Sequence, residues 1–226
     1  MKPLIPLATV ADPTQVERVR ALLEGRACVI VGSAPLRTPL ADVSSTECAI
    51  AVNGGISSLP RPADVWVVGS KQQDKPGDPN LRPLHQTMLE QARGRSVNHL
   101  LLLRGPKIAS ECYTLAALER LHFTAATWSV LDKPTKRWLE GELCARTDDK
   151  QPCSSGVLAA AVALWCGAAS VRLVGFSFMP GYHYLPNERG ASWWRNHVAA
   201  DKRALAVLMA RYPGGLSGAL VQEVAA

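Results

Sequence analysis

The stretch CSSGVLAAAVALWCGAASVRLVGFSF, from Cys153 to Phe178, decides the fold. It opens on two hydroxyls and a glycine and runs almost wholly apolar to Cys166. It breaks at Gly167, then resumes as SVRLV before Gly175 and two phenylalanines. An apolar segment too long for a strand, followed by a short run rich in β-branched residues, reads as a buried helix leading into a strand. Cys153–Ser170 is also the one uncharged apolar window that reaches the length of about 18 residues needed to cross a bilayer. It begins with serines, contains Gly167 and passes straight into a strand pattern, so the reading is a buried helix rather than a membrane span.

The same alternation extends outward. Thr14–Glu24 places Val16, Val19, Leu22 and Leu23 at helical spacing, with Gly25 as a stop. Ala27–Val31 (ACVIV), Cys48–Val52 (CAIAV), Asp64–Val68 (DVWVV), His99–Leu103 (HLLLL) and Ser170–Val174 (SVRLV) are continuous apolar runs, each ending at a polar or glycine-rich loop. Helical patterns lie between several of them, at Leu81–Arg93, Ala109–Leu121, Ser154–Cys166 and Asn196–Ala210. This predicts an α/β fold: a single Rossmann-like domain with a mainly parallel sheet covered by helices on both faces. Ligands of such sheets bind beyond the carboxyl ends of the strands.

At 226 residues the chain suits one domain, 1–226, able to bury roughly 70% of its unfolded surface. Apolar residues make up 47% and charged residues 19%, which excludes a disordered chain. The polar stretch Leu131–Pro152 and the aromatic, glycine-rich stretch Met179–Trp194 read as lid-like segments; Lys71–Pro83 is a further irregular stretch. The six cysteines form no CxxC and sit mostly in apolar runs, so they read as reduced structural thiols in a cytoplasmic protein. No Cys/His cluster has zinc spacing, and no metal or cofactor is expected. The net charge of +6 suits an anionic partner. Its basic residues are dispersed, which argues against nucleic acid. Pro3–Val10 and Leu216–Val224 are the segments that could touch a bilayer, giving an expectation of peripheral contact at an inner membrane.

Five places carry candidate chemistry. VIVGSAPLR (Val29–Arg37) puts Gly32 and Ser33 in a turn after a strand; it is neither GxGxxG nor a P-loop. AVNGG (Ala51–Gly55) offers Asn53 at a strand end, as a ligand contact or as a turn residue in a left-handed conformation. Ser154, Ser155 and Gly156 open the apolar helix. Ser154 or Ser155 caps it, or its free amides hold an anion, and the local sequence is compatible with both. Tyr182 and Tyr184 bracket His183, and their phenols suit a departing phosphate. His197 and Asp201 lie four apart on a helix and share a face; a carboxylate beside the imidazole would raise its pKa and fix its tautomer for general-base work. There is no GxSxG or HExxH, and Asp148-Asp149 sits among basic residues.

Taken in order, these pieces resemble the sialyltransferase-like glycosyltransferases that use CMP-activated sugars. PCSSGVLAAAVALWCGAASVRLVGFSF is similar to the family's small sialylmotif. VIVGSAP and AVNGG resemble the two ends of the large motif. Tyr182-His183-Tyr184 is similar to the short His-Tyr-Tyr type motif, and His197 with Asp201 to the very short motif. The resemblance covers about 27–53 and 152–208. It implies a GT-A-like variant of the Rossmann sheet and metal-independent, inverting transfer of sialic acid, a related nonulosonic acid or Kdo. The implied partners are a CMP-activated acidic sugar and a glycan acceptor.

By the same resemblance His197 is the general base. Ser154, Ser155 and Gly156 meet the donor carboxylate and nucleotide, Asn53 lies near the donor phosphate, Gly32 and Ser33 form the nucleotide-side turn, and Tyr182 and Tyr184 contact phosphate. Ser33 stands where many members have asparagine, and Asp201 where the animal enzymes have glutamate. No cysteine pair is placed to form the disulfide between the large and small motifs. The short chain without an anchor points to the bacterial type, acting in lipopolysaccharide or capsule synthesis. Two other classes fit the same sheet: a nucleotide-dependent phosphotransferase or pyrophosphokinase, and a non-catalytic nucleotide-binding module.

Overall fold

The computed structural model describes residues 13–34, 40, 43, 46–69, 90–103, 118, 121–131, 133–145, 152–179 and 195–225. In chain order the elements are α1 (Pro13–Leu23), β1 (Ala27–Val31), β2 (Cys48–Val52), a 3-10 turn (Asn53–Ser58), β3 (Ala63–Gly69), β4 (Ser96–Leu103), β5 (Thr124–Leu131), α2 (Lys133–Glu142), α3 (Ser155–Trp165), β6 (Ser170–Val174), α4 (Arg195–Arg211), β7 (Leu216–Ser217) and α5 (Ala219–Ala225). The strands form one seven-stranded sheet in the order β5-β4-β3-β2-β1-β6-β7, parallel throughout. The parallel α/β expectation therefore holds, with two strands more than the apolar runs announced.

Alternation along the strands divides the core in two. Cys28, Ile30, Cys48, Ile50 and Val52 face one layer with α3 and α4, while Val29, Val31, Ala49, Ala51 and Trp66 face the other. Both faces of β1 and β2 are thus buried, which is why those strands read as unbroken apolar runs. Gly156–Trp165 of α3 are all buried, so the long apolar window is an interior helix. No helix among the described residues is long and apolar enough to cross a membrane. Leu216, Leu220 and Val221 are buried in the core, so the apolar side chains of Leu216–Val224 are already occupied. Pro3–Val10 lies outside the described residues. Among the described cysteines Cys28, Cys48, Cys144, Cys153 and Cys166 are buried free thiols; burial pushes Cys166 up to about 12.

Two sequence expectations change here. Leu131–Pro152 is not one irregular lid. Leu131 ends β5, and α2 follows with Thr135, Leu139 and Glu140 buried. Residues 146–151 lie outside the described part, as do Lys71–Pro83, most of Leu81–Arg93 and Ala109–Leu121, and 180–194. The second change is β5 itself, which the sequence reading did not mark.

The amino-terminal edge of the sheet is closed by charge. Asp64 accepts from the Ala49 amide at 2.8 Å and meets Arg61 at 3.2 Å and Arg26 at 3.8 Å, while Arg172 pairs with Glu47 at 2.9 Å. Asp64 is therefore a structural anion at the edge away from the strand carboxyl ends, where a catalytic carboxylate would be needed.

His99, fully buried on β4, turns Nδ1 to Thr127 Oγ1 at 2.8 Å, and Thr127 donates onward to the Asn98 carbonyl. The imidazole is thus the donor to Thr127 and carries its proton on Nδ1. Burial, with the Arg18 guanidinium adding to it, lowers its pKa from 6.5 to about 4. The folded state takes up this proton later than the unfolded chain does. Stability is therefore retained above pH 6.5 and lost as the pH falls through the interval down to about 4. The loss amounts to at most about 3 kcal/mol. Urea midpoints measured across this interval should fall with acidity, and His99→Leu should flatten that slope.

Candidate active site

The strand order fixes where a ligand sits. From β1 the sheet grows one way through β2 to β5 and the other way through β6 and β7. The crossovers diverge at the β1–β6 pair, and the crevice beyond the carboxyl ends of those two strands is the topological switch point. β1 ends at Val31, followed by Gly32 and Ser33; β6 ends at Val174, followed by Gly175 and Phe176. The two turns are tied together, Gly32 N donating to Val174 O and Ala34 N to Gly175 O, each at 2.8 Å.

Three motif glycines converge on this point for want of space. A Cβ on Gly32 would meet the Gly175 carbonyl and come within 2.9 Å of the Phe176 ring. A Cβ on Gly156 would land on the same ring, and one on Gly55 would strike the Val31 carbonyl and lie 2.9 Å from that of Gly32. Phe176 is thus clasped between the β1 turn and the first turn of α3, and the Asn53–Gly55 turn rests on the end of β1. The sequence marked Gly32 and Gly156 as turn or ligand glycines, and Gly55 only as the end of the AVNGG stretch. Close packing is the requirement the structure makes visible.

Asn53 takes φ 49°, a left-handed conformation that asparagine accepts more readily than most residues. Its carbonyl accepts from Trp66 Nε1 at 2.8 Å, and its Oδ1 accepts from the Gly69 amide at 3.2 Å. The side-chain amide is thereby oriented from the ends of β2 and β3, with its donor end turned from Gly69.

α3 and α4 both begin at this carboxyl edge. Ser154 is the N-cap of α3, accepting from the Val157 amide at 3.4 Å. Its own amide donates to Asp201 Oδ1 at 2.6 Å, and its hydroxyl is bonded to the same carboxylate. Ser154 is therefore engaged structurally. Ser155 is half-buried at the first helical position, in the turn whose amides a helix cannot satisfy from within.

His197 and Asp201 lie one turn apart on α4 and face the entrance to α3. His197 Nδ1 lies 2.9 Å from the Pro152 carbonyl. A carbonyl only accepts, so Nδ1 carries the proton and the neutral ring presents Nε2 as a base. The expected direct pairing of Asp201 with the imidazole is not what orients it: Asp201 bonds Ser154, and the imidazole is held by Pro152. Burial raises the Asp201 pKa, opposed by the bonds from Ser154 and by His197. The consequence is testable. Asp201→Asn keeps an oxygen for the Ser154 amide, whereas Asp201→Ala leaves that amide unpaired, a defect of about 1–3 kcal/mol. Melting temperatures should fall clearly for the alanine variant and little for the asparagine one.

The described candidates thus form one contiguous row along the carboxyl edge: Asn53, Gly32 and Ser33, Phe176, Ser155 and Gly156, His197. Tyr182 and Tyr184 lie outside the described residues. Phe176 is the addition that sequence reading missed; its place in the small motif was visible, its role between two glycines was not. Asp148-Asp149, the acidic pair a metal-dependent phosphotransferase would need, is also outside the described residues.

With this geometry in hand, solved structures supply a match. CstII of Campylobacter jejuni, in complex with the substrate analogue CMP-3FNeuAc, superposes with a TM-score of 0.51 at 13% identity, covering 85% of this chain and 80% of that one. CstII with a trisaccharide acceptor and CMP gives 0.51 at 14% over 85% and 80%. The monofunctional α-2,3-sialyltransferase Cst-I of the same organism gives 0.52 at 13% over 86% and 75%. The chain has the sialyltransferase fold. No protein-family model matches the chain, and no curated protein sequence does. The sialyltransferase fold is a GT-A-like α/β sheet, so the fold implied by the sialylmotif-like segments is the fold found.

Proposed function

We propose that the chain is a glycosyltransferase that moves sialic acid, a related nonulosonic acid or Kdo from its CMP-activated donor to a glycan acceptor, with inversion and without a metal. One observation carries this reading. At the switch point of a sialyltransferase fold, His197 is held by the Pro152 carbonyl with Nε2 as its basic nitrogen, beside the opening turn of α3.

In this reading the donor carboxylate lies at the first turn of α3, on the amides of Ser155 and Gly156, where the helix dipole favours negative charge. Gly32 and Ser33 line the nucleotide side, and the Asn53 amide is directed to the phosphate. His197 Nε2 removes the acceptor hydroxyl proton as that oxygen attacks the anomeric carbon. The bond to CMP breaks, with Tyr182 and Tyr184 as donors to the departing phosphate. Ser154 and Asp201 hold the α3 entrance against α4, which makes them positioning residues. The placement of Asp64 in the charged amino-terminal edge leaves the phosphotransferase reading without an acid on the β3 strand for Mg²⁺.

Incubating the protein with CMP-N-acetylneuraminate, other CMP-nonulosonates and CMP-Kdo, with and without EDTA, tests the reading. The expected result is stabilisation by CMP and by one such donor, with EDTA-insensitive release of CMP on adding acceptor. A strict requirement for a divalent ion, or no response to any cytidine nucleotide, overturns it.

A further inference from the structure

Two buried polar atoms on β4 and β5 take no part in the chemistry above and have no hydrogen-bond partner among the described residues: His99 Nε2 and Ser129 Oγ. His99 is fully buried and Ser129 is only 2% exposed. The register brings them together. His99 lies opposite Thr127 and Leu101 opposite Ser129, so His99 and Ser129 stand at diagonal corners of one square of four residues. The bond between His99 Nδ1 and Thr127 Oγ1 puts those two side chains on one face of the sheet, and Ser129, two residues further along β5, shares that face. α1 packs against β5, and its Val19 and Leu23 lie in the same core layer as Leu101. Buried polar atoms in folded proteins are paired, by protein or by ordered water, with few exceptions.

We propose that one ordered water bridges His99 Nε2 and Ser129 Oγ beneath α1. The chemistry of the two atoms selects this guest. Thr127 Oγ1 gives its hydrogen to the Asn98 carbonyl, so Nδ1 must donate to Thr127, and Nε2 is left as an acceptor. A guest has to bring a hydrogen to Nε2, which rules out a halide, a carboxylate or any other pure acceptor. A metal cation would also take that lone pair, but the Arg18 guanidinium acts on the same imidazole and opposes a second positive charge beside it. A small neutral O–H donor is what remains. Ser129 Oγ can both donate and accept, so it meets the guest's other side in either orientation. Two such partners lie within the two to four bonds that buried waters make. The bridge lies on β4 and β5, away from the β1–β6 crevice, and the proposal stands whether or not the chain transfers a sugar.

A crystal structure should show one water within hydrogen-bond distance of both atoms. In solution, a water-selective nuclear Overhauser effect should reach the proton on Cε1 of His99, the carbon next to Nε2. Ser129→Ala removes one of the two partners, so this signal should disappear while the Nδ1 proton stays bonded to Thr127. Ser129→Ala and His99→Leu each dissolve the same bridge. Their double variant should therefore lower the urea midpoint by less than the sum of the two single shifts. The wild-type measurements decide the matter even if a variant fails to fold. A direct bond between Nε2 and Oγ, an ion in place of the water, or a wild type with neither an ordered water nor the Overhauser signal overturns the proposal. So do midpoint shifts that simply add.

Discussion

His197→Ala should lower kcat for sugar transfer by about 10²–10⁴-fold, the contribution of a positioned general base. Donor affinity should change little, because in the proposed mechanism the imidazole meets the acceptor hydroxyl and not the nucleotide. The helix itself is not at stake: His197 lies near the start of α4, and Ala200, Ala204, Leu205 and Leu208 hold that helix in the core. A variant retaining activity within about tenfold of wild type would show that another group takes the proton, since the effect would fall below the range of such catalysis. His197→Gln adds a control. It can still donate to the Pro152 carbonyl, yet it offers no titrating nitrogen, so it should remain folded and remain slow.

The second large effect concerns Gly156→Ala. The added methyl would enter the Phe176 ring, and the same edge of that ring also lies against Gly32, which limits its retreat. Overpacking of this kind costs about 1–3 kcal/mol. For a chain of this size each kcal/mol lowers the melting temperature by about 2–4 °C. Function should suffer more than stability. The ring keeps the first turn of α3 against the end of β1, and displacing it moves the helix amides relative to the Gly32–Ser33 turn. Phe176→Leu frees room for the methyl, so the double variant should recover stability lost by Gly156→Ala alone. Additive losses in that cycle would mean the glycine is not there for the ring.

Much of the architecture was legible because of where the strands lie. β1, β2 and β6 begin and end where their apolar runs do, since central parallel strands are buried on both sides and are bounded by glycine or asparagine at the carboxyl edge. β5 escaped notice for the complementary reason. It is an edge strand, half exposed, and alanine and threonine fill places where a central strand has valine or isoleucine. α2 was hidden by its buried face, to which Thr135 and Glu140 contribute alongside Leu139, so no apolar period marks it.

The site was legible as a set of residues but not as a set of bonds. The i, i+4 spacing put His197 and Asp201 on one face. Their partners, the Pro152 carbonyl and the Ser154 amide, are brought by a different helix and have no local signature. The motif glycines looked like turns because glycine is common in turns. Their crowding against Phe176 and the Val31 carbonyl exists only once the sheet has assembled.

The cross-tie between the entrances of α3 and α4 has a consequence for concerted movement. Pro152 holds the imidazole and Ser154 holds the carboxylate one turn further on, so the two helix entrances are yoked. A ligand that drew in the first turn of α3 would carry His197 with it.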